Sequence, residues 1–470
     1  MSARRLLAPL LLVAIVGGFL AHVRAFDFVT DDAYISFRYA ENLAQDGALE
    51  FNLGERVEGY SNFLWTVLLA GAIDLGVPPE VSSRVLGALL GVSALLLTLL
   101  LARRSDPSPL ALVAPALLAA LPGFAAWSSG GLETALFTTL GIGSLFLLLG
   151  DRSLAAGLGF ALASMTRPEG ALLFACAALA ELVRTRRFDL RLYAAFGVPF
   201  AAFYAWRFSY YGHPFPNTFY VKAGHMALAR GARYLAGFAL QNGLPVAAAL
   251  LVFYRARDRR LALHSLLLLP LYLTYVASVG GDFMALHRFL VPVAPHLALL
   301  VHDALRGRPW LRFAAPALVA IAAANAVRVD RATLASRSAV DGIDSVGYLK
   351  KFADDRILIG RWMRENLPAD TFVAVGGAGA LPYASRLRAL DSFGLCDEHI
   401  AHHVRSAGDR PGHTKVAPLL YLLRRKPDLI CFPQYPGLKD HGYEKVCMRP
   451  PGLDTPYCCL KRSDRRLGPL

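Results

Sequence analysis

Two adjacent carboxylates, Asp31 and Asp32, stand in the stretch VTDDAYISFRYAENL (29–43), just after the first long apolar run of the chain. Ionised carboxylates beside hydrocarbon are costly unless they are paired or used. Capping accounts for one of them: Tyr34, Phe37, Arg38, Tyr39 and Glu41 follow a helical pattern that begins just after Thr30 and Asp31, and acids are favourable at a helix start. The second asks for chemistry. A carboxylate can take the proton from a hydroxyl nucleophile, and the other polar stretches supply groups that complement such a base. GERVEGYSNFLW (54–65) carries Glu58 and Tyr60, SSGGLET (128–134) carries Glu133, and SMTRPEGA (164–171) carries Arg167 and Glu169. YYGHPFPNTFYVKAG (210–224) offers His213, Asn217, Tyr220 and Lys222, and GGDFMALHRFLVP (280–292) offers Asp282, His287 and Arg288. Arg, Lys and His stabilise the negative charge that develops on a departing phosphate. Together these groups read as one polar cavity suited to a donor with a phosphate head and a lipid tail.

The elements that must position them are membrane helices. Of 470 residues, 55% are hydrophobic and 18% charged, with a mean hydropathy of +0.42, the profile of a polytopic membrane protein. The formal charge of +14 sits in short Arg clusters between apolar runs, which fits membrane topology and not a nucleic-acid-binding face. A span takes roughly 20 apolar residues, and about eleven runs qualify: 6–23, 82–102, 109–122, 131–149, 153–166, 169–183, 190–209, 236–254, 261–279, 286–304 and 311–326. The first reads as an uncleaved signal anchor, since AHVRAF offers no small-residue cleavage site.

Cytoplasmic loops hold the excess of Lys and Arg. Placing Arg4 and Arg5 inside puts Arg103 and Arg104, Arg152, Arg184 to Arg191, Arg255 to Arg260 and Arg306 to Arg312 inside as well, provided that 61–77 is a helix lying on the outer surface. The polar stretches named above then share the outer side, within a first outer loop (24–81) and later span ends. The expected domains are a transmembrane bundle (1–326) and an exported tail (327–470). TFVAVGGAGALPY (371–383) and KPDLICFP (426–433) have apolar, β-prone cores bounded by Gly or Pro, so the tail reads as a small α/β domain. Five of the six cysteines lie there; an exported tail permits disulfides, and one is expected between Cys447 and either Cys458 or Cys459. No P-loop, HExxH or CxxC pair is present, and GGAGA (376–380) reads as a turn.

DDAYISFRYAENLAQDGALEFNLGERVEGYSNFLW, TRPEG, HPFPNTFYVK, GGDFM with HRF, GALPY and DSFGLCDEHIA, taken in order, resemble the polytopic type C glycosyltransferases that use polyprenyl-phosphate sugars, and most of all the cell-wall terminal arabinofuranosyltransferases. The resemblance implies an all-α GT-C bundle with an extracytoplasmic α/β domain in a bacterial inner (plasma) membrane. It implies inverting transfer of a monosaccharide, arabinofuranose in the nearest branch, to a cell-envelope glycan, with Asp31 or Asp32 as base. Arg38, Arg167, His213, Lys222 and Arg288 would contact the donor phosphate, and Glu58, Tyr60, Glu133, Glu169, Asn217, Asp282 and His287 the substrates. No cofactor is implied beyond, at most, a divalent cation. The cysteine-bearing end (444–459) has no counterpart in the arabinan enzymes. Two rival readings are a transporter or flippase for a lipid-linked glycan and a ligase moving oligosaccharides from a polyprenyl diphosphate.

Overall fold

The structure, a computed structural model, describes residues 3–222, 227–243, 258–306, 313–340, 342–408, 410 and 412–470. Arg255, Arg257, Arg308 and Arg312, and parts of the expected runs 236–254 and 311–326, lie outside the described residues. The chain forms two compact units: Met1–Phe28 with Ser83–Ala205 and Met226–Gly347, and Val29–Ser82 with Trp206–His225 and Tyr348–Leu470.

The first unit is helical. Among the described residues of the chain, four helices are long and apolar enough to cross a membrane: Leu7–Phe26, Pro79–Ser105, Arg259–Ser278 and Ala285–Arg306. Other expected runs form shorter apolar helices, such as Thr134–Leu149 and Ser153–Thr166. The run 109–122 is not one helix: a 3-10 turn at Pro109–Leu112 leads into Val113–Ala119, and a new helix, Pro122–Ala126, starts at Pro122. Proline is suited to a first helical turn, where its missing N–H has no partner to lose.

The second unit is built on a five-stranded sheet. With a short hairpin of β1 (Ala339–Val340) and β2 (Ile343–Asp344) preceding it in the first unit, the sheet comprises β3 (Phe372–Val375), β4 (Arg388–Asp391), β5 (Leu429–Ile430), β6 (Tyr443–Met448) and β7 (Tyr457–Arg462). Their order is β4-β3-β5-β7-β6, with β3 parallel to β4 and β5, and β7 antiparallel to β5 and β6. All four residues of β3 are buried, as befits a parallel strand covered on both faces. Alternation divides them: Phe372 and Ala374 pack with Ile400, Leu422 and Leu460, whereas Val373 and Val375 pack with Ile35, Tyr39, Phe51 and Tyr60.

The segment from Ile35 to Tyr60 therefore supplies one of the two layers that cover the sheet. The helix Asp31–Asp46 buries nine of its residues from Asp31 to Ala40. The segment 29–82 joins the tail rather than the spans, so the division at 326/327 does not follow the compact units. The second stretch, expected as a non-spanning helix at 61–77, is a helix at Phe63–Asp74.

Disulfides fasten the antiparallel half of the sheet. Cys447 bonds to Cys458 across the β6–β7 pair, and Cys431, just past β5, bonds to Cys459 in β7. Cys176 and Cys396 are free and buried.

Candidate functional site

In the second unit the two acids have different surroundings. Asp31 is buried and does not cap its own helix, whose preceding residue Thr30 makes no side-chain cap either. Its Oδ1 accepts the Ala380 amide at 2.8 Å and its Oδ2 the Gly379 amide at 3.3 Å. These amides open the helix Ala380–Ser385, so the carboxylate meets unpaired N–H groups at a helix start. A Cβ on Gly379 would lie 1.8 Å from the Asp31 carbonyl oxygen, so the approach demands glycine. The end of GGAGA, Gly379 and Ala380, is thus the clasp of Asp31. Burial pushes the Asp31 carboxyl up to about 6; the Ala380 amide pulls it down and the charge of Asp32 pushes it further up. Asp32 is half-buried.

Arg38 is corrected by the structure. It is buried, and its guanidinium donates to the carbonyls of Phe51 (2.6 Å), Pro382 (2.7 Å) and Leu387 (2.9 Å) and to Asn52 Oδ1 (3.2 Å). A side chain satisfied in this way ties the loop to the tail and has no fork left for a phosphate. Tyr60 is likewise a core residue: it is 3% exposed, packs edge-on against Tyr39, and has its hydroxyl 3.1 Å from that of Tyr211.

Glu58, His213 and Asn217 come together. Glu58 pairs with the buried Arg207 at 2.8 Å and 3.0 Å, a partner that the sequence signals only as a lone Arg inside an apolar run. Even so, burial carries the Glu58 carboxyl up to about 7, against the pull of Arg207. The Asn217 amide donates its Nδ2 hydrogens to the carbonyls of Gly394, Leu395 and Asp397, and its backbone N–H bonds to the Glu58 carbonyl. His213 lies 2.9 Å from the Glu398 carboxylate. Lys222 is exposed at the end of the helix Asn217–Lys222.

The remaining candidates belong to the first unit. Arg167 bridges Glu133 and Glu169 at 2.9 Å each, and Tyr275, which carries no sequence signal of its own, donates to Glu169 at 3.0 Å. All three charged side chains of this cluster are buried. Each nitrogen of the Arg167 guanidinium thus already donates to a protein carboxylate. Arg288 bonds to Asp282 through Nε at 2.7 Å, and its Nη groups make no hydrogen bond among the described residues. The Phe289 ring lies within reach of both guanidiniums, 4.9 Å from Arg167 and 5.4 Å from Arg288, so the two cations flank one aromatic side chain.

The turn leading to Arg288 is strained. Leu286 and His287 both adopt the left-handed region, with φ of 58° and 55°, which non-glycine residues rarely do. Trp127 Nε1 holds the turn through the Ala285 carbonyl at 2.8 Å. Such strain persists only where surrounding contacts impose it. His287 itself is buried, with Nδ1 3.2 Å from Gln241 Oε1.

Solved structures share this architecture. ArnT from Cupriavidus metallidurans in the apo state matches 96% of this chain with 96% of its own, at a TM-score of 0.63 and 13% identity. The same protein bound to undecaprenyl phosphate matches 83% of this chain with 86% of its own, at a TM-score of 0.59. The oligosaccharyltransferase AglB from Archaeoglobus fulgidus, in complex with an inhibitory peptide and a dolichol-phosphate, matches 82% of this chain with 65% of its own, at a TM-score of 0.53 and 14% identity. The chain has the type C glycosyltransferase fold. At such identities the likeness carries the fold and not the sugar. Residues 348–464, inside the second unit, match the family described as a domain of unknown function, DUF8728. No curated protein matches the chain.

Proposed function

We propose that this type C fold is a membrane glycosyltransferase that moves a monosaccharide from a polyprenyl-phosphate donor to a hydroxyl of a cell-envelope glycan. The observation that carries the reading is the unequal pair at the start of the helix Asp31–Asp46: Asp31 is held by two backbone amides, and Asp32 beside it is half-buried. Asp32 is then the base and Asp31 its positioning residue. Asp32 takes the proton of the acceptor hydroxyl, and the oxygen attacks the anomeric carbon. The bond from that carbon to the phosphate oxygen breaks, and its electron pair leaves with the lipid phosphate, inverting the centre. Within the first unit, Arg288, whose Nη groups make no hydrogen bond among the described residues, is a separate candidate contact for a lipid phosphate. The lipids bound by ArnT and AglB, undecaprenyl phosphate and dolichol-phosphate, support a lipid-phosphate donor. Arabinofuranose is the first sugar to test, following the motif resemblance. We further infer a multi-pass protein of the bacterial inner membrane, with its N-terminus cytoplasmic and its tail outside. The two tail disulfides support that side, because disulfides persist in oxidising compartments.

The test is transfer by the purified chain in nanodiscs from a panel of radiolabelled polyprenyl-phosphate sugars to a membrane glycan extract. Transfer from a monophosphate donor supports the reading. Transfer only of an oligosaccharide from a diphosphate donor replaces it with the ligase, and lipid-glycan movement across the bilayer without any transfer replaces it with the flippase.

A further inference from the structure

The acid pair has a cation beside it that the sequence does not single out. Arg356 lies on the helix Val346–Asn366, in the part that belongs to the second unit, and is half-buried. Its guanidinium carbon stands 4.4 Å from the centre of the Phe352 ring and 5.0 Å from that of the Tyr457 ring in β7. Phe352 leads to the acids. A Cβ on Gly377 would lie 3.0 Å from Asp31 Oδ2 and 3.3 Å from the Phe352 ring, so carboxylate and ring adjoin one backbone position. The Arg356 charge accordingly acts on Asp31, drawing its carboxyl down against burial.

A cation so placed would ordinarily pair with the acid, and this one does not. Both Asp31 oxygens take backbone amides, and among the described residues Arg356 makes no hydrogen bond or ion pair. Contact with rings consumes none of the five N–H donors of a guanidinium. A lone surface arginine is usually solvated along its whole head; Arg356 is half-buried and held against rings of two different elements. What remains is a fixed fork of donors beside the residue that the transferase reading makes the base. Such a fork fits two oxygens of one phosphate. An inverting displacement sets the base and the leaving phosphate on opposite sides of one carbon, so a phosphate contact belongs near the base without bonding to it.

We propose that Arg356 binds the phosphate of the donor and steadies it as it leaves. This deepens the transferase reading, on which it rests for the donor. As the bond between the anomeric carbon and the phosphate oxygen breaks, the electron pair passes to the phosphate. Arg356 meets the added charge by donating hydrogen bonds while keeping its own proton. It is a contact separate from Arg288 of the first unit.

Binding of undecaprenyl phosphate to the full chain in detergent, read by native mass spectrometry with no sugar and no acceptor present, tests it. Undecaprenol and inorganic phosphate are the comparison probes. The wild type should prefer undecaprenyl phosphate to undecaprenol. Arg356→Gln should bind the phosphate lipid about tenfold or more weaker, the loss expected for hydrogen bonds from a charged group, and undecaprenol as before. Arg356→Lys, which keeps the charge and loses the fork, should fall between the two. The phosphate lipid should also raise the unfolding temperature of the wild type more than that of Arg356→Gln, each protein being compared with itself, so a less stable variant still decides. Equal affinity of wild type and Arg356→Gln for undecaprenyl phosphate, no preference for it over undecaprenol, or equally tight binding of inorganic phosphate would overturn the proposal. Because nothing is transferred in this assay, lipid binding that depends on Arg356 in a chain that transfers no sugar defeats only the transferase reading. Sugar transfer by a chain whose lipid binding ignores Arg356 defeats this inference only.

Discussion

The Asp31 carboxylate accepts the Ala380 amide at 2.8 Å, across 349 positions of sequence, and with Gly379 this pairing fastens the first loop to the tail sheet. The acid that sequence logic offers as a base or a cap is thereby a cap for a different helix. The expectation for each residue of this junction follows from the atoms it meets.

Gly379→Ala places a methyl group on the Asp31 carbonyl oxygen, which is backbone and cannot yield. Overpacking of this kind costs about 1–3 kcal/mol or more. A fall in the thermal unfolding temperature is expected, as the Asp31 carboxylate is pushed off the two amides; an unchanged unfolding temperature would show that the clasp is dispensable.

Arg38→Ala and Arg288→Ala should differ in kind. Removing Arg38 strands three buried carbonyls, so the protein should unfold at lower temperature. Removing Arg288 unpairs the buried Asp282 carboxylate and should lower stability too, but it should in addition weaken polyprenyl-phosphate binding by about tenfold or more, the worth of a charge-assisted hydrogen bond, which Arg38→Ala should not. Native lipid affinity in Arg288→Ala, measured by native mass spectrometry or fluorescence titration, would remove Arg288 from the donor site.

Stability of the second unit should fall as pH rises toward neutrality. Burial is the largest cause lifting Asp31 to about 6 and Glu58 and Asp391 to about 7. Groups whose carboxyls are raised on folding bind protons more tightly in the folded chain. Their contribution is complete below the unfolded value and is lost as pH passes through the folded one. The unfolding temperature should therefore drop from about pH 4.5 to about pH 7, and Asp391→Asn should flatten part of that slope. His399 and His402, held below 6.5 by burial, act in the opposite sense inside this window. A rise in unfolding temperature across the window would contradict the assignment.

Thiol counting checks the tail. Denatured without reductant, the chain should expose two thiols, Cys176 and Cys396, and after reduction all six. Six thiols without reductant would deny both disulfides and with them the support they lend to an exported tail.

The sequence made the local structure legible and the distant pairings illegible. Apolar runs marked the helices, the apolar cores of 371–383 and 426–433 marked β3 and β5, and cysteine spacing marked a bond from Cys447 to either Cys458 or Cys459, of which the structure has Cys458. The helix Asp31–Asp46 was visible from its periodicity, but that Ile35 and Tyr39 cover the tail sheet was not, because periodicity reports a buried face and not its partner. For the same reason Arg38 stood among the expected phosphate contacts, though its acceptors include the carbonyls of Pro382 and Leu387. The glycines of GGAGA stand out for their turn-forming freedom, when at Gly379 it is the missing side chain that matters.

The central claim is that Asp32 removes the acceptor proton, and the direct measurement is sugar transfer by Asp32→Asn in nanodiscs alongside donor binding by the same variant. Transfer should fall by about a hundredfold or more, the usual contribution of a general base, with polyprenyl-phosphate-sugar binding retained. Transfer at the wild-type rate in Asp32→Asn would contradict the claim and return the acid pair to a structural role.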